Sequence, residues 1–578
     1  MKKLTIIALG LLTFTMQGCD FLDRDAEDII ESGKFFENAQ ANALEQYCND
    51  FYPKLFYGHG APNGYNSMLE TEWDCDNIYP WNKNNVSFGH HVAPNNASGS
   101  DWSWSNIRAC NEFLMNYTKS PVADNVKQRY AGEILFFKCL DYFNKVITYG
   151  DVPWYETALT TSDTEELYKG RDSRMVVMKH VLDDINQAIQ WLPKKTVVYR
   201  VSRDAALALK ARMCLFEGTY RRYHGIEGDT EFLQAAYDAA GELMKEEYGY
   251  SLYEGTSKAT AYHELFVQEN YNNNPEVILS KEYDPSLNKG NNVSRQIRKG
   301  ENDQLMGMSR DCANDYLKID GTPFDPTSAT TAREELENRD PRLLQTIATP
   351  YDGPYTYYLG GERSAISILI SGATHSSTGY AIAKFYTDND YVEAHGKGTT
   401  DAILFRFGEI LLIRAEAGAE LGKDPELDKT VNALRRRVGF NVALTSSLAN
   451  DPLLAAKHPN VNGNNANLIR EIRRERRVEL FGEGLRRDDL MRWKCGQRLV
   501  APRAGMPLYT DVYSAADIAT LKDEAGVFGD NTLDVYGNRN IAPAVFDEEK
   551  HYLFSLPLNE IALNPNLKPN NQDGVNKA

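Results

Sequence analysis

Four of the seven tryptophans, Trp73, Trp81, Trp102 and Trp104, fall within 32 residues of one another. Around them stand Asp74, Asp76, Tyr79 and Asn106, in the strings Trp73-Asp74-Cys75-Asp76-Asn77, Tyr79-Pro80-Trp81 and Asp101-Trp102-Ser103-Trp104-Ser105-Asn106. A further aromatic group, Tyr355, Tyr357 and Tyr358, lies far down the chain. A flat indole or phenol ring packs against the C–H face of a pyranose, and its rim leaves neighbours free to hydrogen-bond hydroxyls. Carboxylates and other charged partners make the stronger of those bonds. These residues are the candidate ligand contacts. The competing reading is that the rings pack loops onto a scaffold, and Trp104 could anchor a helix starting near Asn106.

Catalytic arrangements are weaker. Asp74 and Asp76 would be the acids of a glycoside hydrolase, but they stand two apart on an expected loop with no partner. His90-His91 lacks a further ligand at metal spacing, and His263-Glu264 is not followed by a second histidine four residues on. Thr387-Asp388-Asn389-Asp390 lacks the glycine and distal glutamate of a calcium loop. No GxSxG elbow or phosphate-binding loop occurs. No metal, cofactor or catalytic residue is therefore assigned. Residues 470–477 hold five arginines, yet Glu471, Glu475 and Glu479 are interleaved. Glu471 with Arg474, and Arg476 with Glu479, fall at helical pairing distance, so an ion network is preferred over phosphate recognition. The formal charge of −18 also argues against nucleic acid.

Helices must position these groups. From Met178, the positions Val181, Leu182, Ile185, Ala188, Ile189 and Leu192 recur in steps of three and four, and Pro193 ends the run. Phe232, Ala235, Ala236, Ala239, Leu243 and Met244 repeat the pattern. Between them, Ala205, Ala206, Ala208 and Ala211 allow close helix approach. Such pairs resemble degenerate tetratricopeptide repeats. Further helices are expected at 126–147, 407–421, 428–438 and 467–493. Residues 52–106 and 284–400 lack periodicity and read as large functional loops.

The N-terminus reads as an export signal. Lys2 and Lys3 precede an apolar run from Leu4 to about Met16, too short to span a membrane, and then Gln17-Gly18-Cys19. This resembles a bacterial lipobox with Met16 and Gln17 at unusual positions, and makes Cys19 the lipidated residue. Two or three acyl chains would hold firmly, at about 0.8 kcal/mol per buried methylene. Asp20, Asp23, Asp25, Glu27 and Asp28 follow, an acidic tether unable to fold alone. Removing residues 1–18 leaves a charge near −20. The other seven cysteines are scattered without CxxC spacing, so neither a disulfide framework nor a zinc site is expected.

Six segments in order resemble the SusD/RagB family of outer-membrane lipoproteins. They are Tyr130 through Tyr142 to Tyr149-Gly150-Asp151-Val152-Pro153; Arg171 to Pro193 and on to Arg203–Leu209; Asn338–Leu343; Phe405–Ile410 through Arg414-Ala415-Glu416 to Leu421-Gly422; Ile472–Leu480 into Gly484 and Arg492-Trp493; and Leu556-Pro557 to Leu563–Leu567. The resemblance implies an all-α fold with a tetratricopeptide-like helical-pair scaffold and irregular ligand-facing excursions. It implies a non-catalytic cell-surface lipoprotein that captures an oligosaccharide for a SusC-like TonB-dependent transporter. The acidic run resembles the family's outward-export signal. The expected organisation is a signal at 1–18, a tether at 19–40, an N-terminal helical region with ligand loops at 41–265 and a C-terminal region at 266–578. Capture of peptides on the same architecture is the alternative, and a secreted glycoside hydrolase the distant one.

Overall fold

A computed structural model describes residues 32–61, 67–98, 100–299, 306–348, 357–359, 362–364, 376–387, 389, 391–392 and 394–567. Cys19, the acidic run after it and Tyr355 lie outside the described residues.

The scaffold is helical. Its N-terminal half is built on α1 (Ser105–Asn116), α2 (Asp124–Tyr149), α3 (Arg174–Trp191), α4 (Arg203–His224) and α5 (Asp229–Leu243). The C-terminal half adds α6 (Phe407–Leu421), α7 (Ala466–Glu479), α8 (Arg486–Arg492) and α9 (Leu558–Leu563). Helix α2 packs on α1 and α3, α4 on α3 and α5, and α6 on α5 and α7. This is the chain of helix pairs anticipated from the periodicity. Ala205, Ala206, Ala208 and Ala211 are all fully buried, so methyl-sized contacts bring α4 close to its neighbours. Gly218 carries the same logic further. A Cβ there would meet the Leu233 nitrogen at 2.8 Å and the Asp229 carbonyl at 3.1 Å, both backbone atoms of α5.

Helix α2 is enclosed on nearly all sides from Tyr130 to Val146. Its buried charges are paired: Glu133 with Arg200 at 2.8 Å, Lys138 with Asp184 at 3.1 Å and Lys145 with Asp141 at 3.1 Å. The helix stops at Gly150, whose φ of +75° an L side chain rarely adopts. The Gly-Asp-Val-Pro turn then does three things. The Asp151 carboxylate caps α3 by accepting from the Arg174 amide at 2.8 Å, Val152 bridges Asp172, and the Trp154 amide donates to Asp172 at 2.7 Å. The chain is thereby steered back across α1.

Sheet structure is minor. β1 (Ile78–Pro80) pairs antiparallel with β3 (Met306–Met308), and β2 (Val277–Lys281) with β6 (Ala402–Arg406). β4 (Tyr357–Leu359) pairs with β5 (Glu362–Ser364). The two excursions read separately in the sequence therefore meet. Besides the β1–β3 ladder, Ser309 donates to the Asp76 carbonyl at 2.6 Å, Ser67 to Gln296 at 3.3 Å, and Ser377 to the Tyr79 carbonyl.

One expected helix is divided. The segment 467–493 forms α7 and α8, separated by Gly482 and Gly484 at φ +78° and +76°. Its ion network is real, but the partners are mostly remote. Arg474 does reach Glu471 at 3.5 Å. Arg476 instead binds Asp489 at 2.9 Å, while Glu479 accepts from Arg342, Arg406 and Arg437 at 3.0, 2.9 and 2.6 Å. Burial alone would raise the Glu479 carboxyl, but these guanidiniums hold it far below the usual carboxylate range. The seven described cysteines are all buried thiols.

Candidate ligand-binding cleft

The tryptophan window does not fold into one platform. Trp73, Tyr79 and Trp81 pack into three different hydrophobic clusters. Tyr79 is 2% exposed, with the Arg503 guanidinium 4.9 Å from its ring centre, so no face is open to a ligand. Trp81 is half-buried against the Leu508–Tyr513–Leu521 cluster and carries Arg539 3.9 Å over its ring. Trp73 is half-buried, with its indole nitrogen enclosed.

Asp76 is a correction. It is 2% exposed and accepts from Arg486 at 2.7 and 3.0 Å and from Arg498 at 2.6 Å, with Arg477 at 3.2 Å. Burial would raise its carboxyl, yet Arg477, Arg486 and Arg498 together hold it well below the ordinary range. Its carboxylate is buried and held by three guanidiniums, so it is neither a ligand contact nor a catalytic acid. Its job is to tie β1 to the α7–α8 region. Asp74 is half-buried and accepts from Asn84 at 2.8 Å, and burial raises its carboxyl.

Trp102 and Trp104 lie elsewhere, in the main helical core. Trp102 is 2% exposed, edge-on to both Tyr149 and Trp104 at 5.1 and 5.3 Å. It supports the ring next to it. Trp104 is half-exposed and meets Tyr155 edge-to-face at 5.2 Å. The two line an open cavity of about 460 Å³ between the start of α1, the 153–159 segment, the Thr164–Leu167 turn and α9. Ile107, Pro153 and Leu567 form an apolar floor. Tyr168, Leu167 and Leu563 stand on the rim at 52, 40 and 69% exposure. Asn106 is half-exposed at the first turn of α1 and is not among the lining residues. Tyr357 and Tyr358 are described only as the backbone of β4.

The cleft is held by side-chain bonds to main chain. Asn111 donates to the Tyr155 and Thr157 carbonyls at 2.9 and 3.1 Å, and Arg108 to the Leu159 carbonyl at 3.0 Å. Across the opening, Asn564 donates to the Lys169 carbonyl at 2.9 Å and Asn566 to that of Tyr168 at 2.7 Å. Burial lifts the Tyr155 phenol to about 12, so it is a neutral hydroxyl at physiological pH. Glu560 is the single carboxylate among the described lining residues. Glycoside hydrolysis uses two carboxylates flanking the scissile bond, and the described lining residues supply one. The volume lies within the range of about 300–1,000 Å³ usual for small-molecule sites. Tyr155, Tyr168, Asn111 and Leu563 escaped the sequence reading. The only local signals were the turn two residues before Tyr155 and the Leu563–Leu567 string.

A model of the SusD family matches residues 275–573. The chain belongs to the SusD family. A second family model, described as starch-binding and associating with the outer membrane, matches residues 20–215 of this SusD-family chain. SusD-like protein P38 of Formosa agariphila is 25% identical over 398 residues, 67% of this chain and 71% of that protein. SusD-like protein P2 of the same organism is 22% identical over 99% of both. Among solved structures, a SusD-like carbohydrate-binding protein of Bacteroides fragilis superposes with a TM-score of 0.73 at 22% identity, covering 92% of this chain and all of that one. A laminarin-binding SusD-like protein gives 0.55 at 18%, covering 83 and 94%. At these identities the superpositions establish the fold. No described helix is long and apolar enough to cross a membrane.

Proposed function

We propose that this SusD-family chain is a non-catalytic lipoprotein of the outer-membrane surface. It captures an oligosaccharide and passes it to a SusC-like TonB-dependent transporter. The observation that carries the reading is the cleft of Trp104, Tyr155 and Tyr168, where aromatic walls stand beside amide, hydroxyl and guanidinium groups in a cavity of sugar-ring scale. Such walls take the apolar C–H faces of a sugar and the polar rim takes its hydroxyls. The carbohydrate-binding names of the structural relatives and the outer-membrane description of the matching family support it. Cys19 supplies the anchor in this reading. The test is to incubate the purified chain with a panel of neutral and acidic glycans, following binding and reducing-end release together. Binding without product is expected, and release of reducing ends would overturn the non-catalytic assignment.

A further inference from the structure

A second cavity, of about 440 Å³, opens where α4 and α6 end and the chain approaches α7. Its character is unlike that of the aromatic cleft. One wall is the string Asn460 to Asn465, which contributes four asparagines. The opposite wall holds Arg222 and Tyr223 from the last turn of α4 and Glu420 from that of α6.

The charged members neutralise one another. Arg222 donates to Asp229 at 2.8 Å and to Glu420 at 3.2 Å. Glu420 also accepts from the Tyr223 hydroxyl at 2.7 Å and from Arg473 at 3.3 Å. Among the described lining residues, no unpaired carboxylate or guanidinium is left to select an ionised ligand.

The amides are different. Asn465 donates to the Ala419 carbonyl at 3.1 Å, Asn462 to the Asn460 carbonyl at 3.2 Å, and Asn460 to the Trp493 carbonyl. A main-chain carbonyl only accepts, so each of these contacts fixes which end of the amide is nitrogen. The side-chain oxygens of Asn462 and Asn465 are thereby identified as acceptors, and each amide keeps a second N–H that can donate. Asn462 and Asn464 are exposed, and Asn465 is half-exposed. Leu421 and Ile469 add apolar surface at the base.

Oriented neutral acceptors beside a small apolar surface match a hydroxyl-rich, uncharged ring. They carry no net charge, and the charged lining groups are paired with one another, so the cavity gives an ion no counter-charge. We propose that this asparagine-lined cavity is a second saccharide subsite, taking a neutral sugar ring through its hydroxyl donors. The proposal rests on the glycan-capture reading and adds a separate contact for the same class of ligand. It shares no lining residue with the aromatic cleft.

The experiment is isothermal titration of the full chain with the neutral oligosaccharides that bind best in the panel. Four proteins are compared: the natural chain, N462A/N464A, W104A/Y155A, and the two pairs combined. Two binding events are expected for the natural chain. N462A/N464A should weaken one of them about tenfold, the scale of one to two lost hydrogen bonds, while leaving the other event and the melting temperature unchanged. The combined variant should lose both. If N462A/N464A gives the natural isotherm and W104A/Y155A abolishes all binding, the subsite is overturned while glycan capture stands. If no glycan binds the natural chain, both fall.

Discussion

Trp104 and Tyr155 meet edge-to-face across the mouth of the aromatic cleft. Replacing either by alanine removes a ligand-facing wall together with that ring's partial packing on the helical core. Glycan affinity should fall about 3- to 10-fold, the worth of one aromatic contact, with a smaller loss of melting temperature than replacement of the buried Trp102 causes. Calorimetric titration and thermal unfolding check this together, and undiminished affinity in both variants would exclude the cleft as the site. Trp102 should behave differently. Buried beneath Trp104 and Tyr149, it should cost about 3–5 kcal/mol of stability on replacement by alanine, as large buried aromatics do. Asp76 is the polar counterpart. Asp76→Ala would leave three arginines facing a buried vacancy, and loss of one partner in a buried ion cluster costs about 3–5 kcal/mol. A denaturant midpoint equal to that of the natural chain would contradict this role.

Among the elements, the α4–α5 pair offers the cleanest test. Gly218 faces backbone atoms of α5 that no rotamer change moves. Gly218→Ala should therefore destabilise by about 1–3 kcal/mol through overpacking, although alanine is the better helix former. A more stable variant would show that the helices separate freely. The α3 and α5 faces were readable because each buries an apolar stripe against adjacent helices, α3 against α2 and α4, and α5 against α4 and α6. Helix α7 was not readable to the same degree. Arg476 turns from Glu479 to Asp489, and Glu479 collects arginines from three other segments. Local spacing ranks partners within one helix, but in a buried network the choice falls to whichever distant carboxylate or guanidinium shares the desolvated space.

At the scale of the molecule, buried ion clusters set the acid limit. Burial raises Glu416 and Asp315, but Arg492 for the former and Lys457 with Arg477 for the latter outweigh it and bring both to about 2. Their folded values lie below the unfolded value of about 4. The stability they contribute is thus fully present above about pH 4 and lost as pH falls toward 2. His59 and His224, lowered by burial to about 3 and about 4, have the same sign and act from about pH 6.5 downward. Asp401, lifted by burial to about 7, has the opposite sign over that range and offsets them in part. Urea midpoints should therefore decline modestly between about pH 6.5 and about 4, where the two histidines outweigh Asp401, and drop more steeply below. A constant midpoint down to about pH 2 would refute the assignment of these clusters. On the sequence-derived anchor, Cys19→Ser should leave a chain that no longer sediments with membranes. Persistent fatty-acid labelling of that variant would refute the lipobox.

The helical periodicity, the turn after Tyr149 and the ordered family segments are local strings, and each could be read without knowing what lies across from it. That is why the helix-pair scaffold and the family were legible in the residues alone. Which tryptophan faces a ligand was not. Trp102 and Trp104 are two residues apart, yet one is sealed under Tyr149 while the other looks into an open cavity lined by Tyr155, Tyr168 and Leu563. Asp76 likewise has the same local setting as Asp74, but three arginines more than 400 residues downstream make it structural. Exposure and partnership are properties of surfaces brought together from distant parts of the chain, and only the packed structure assigns them.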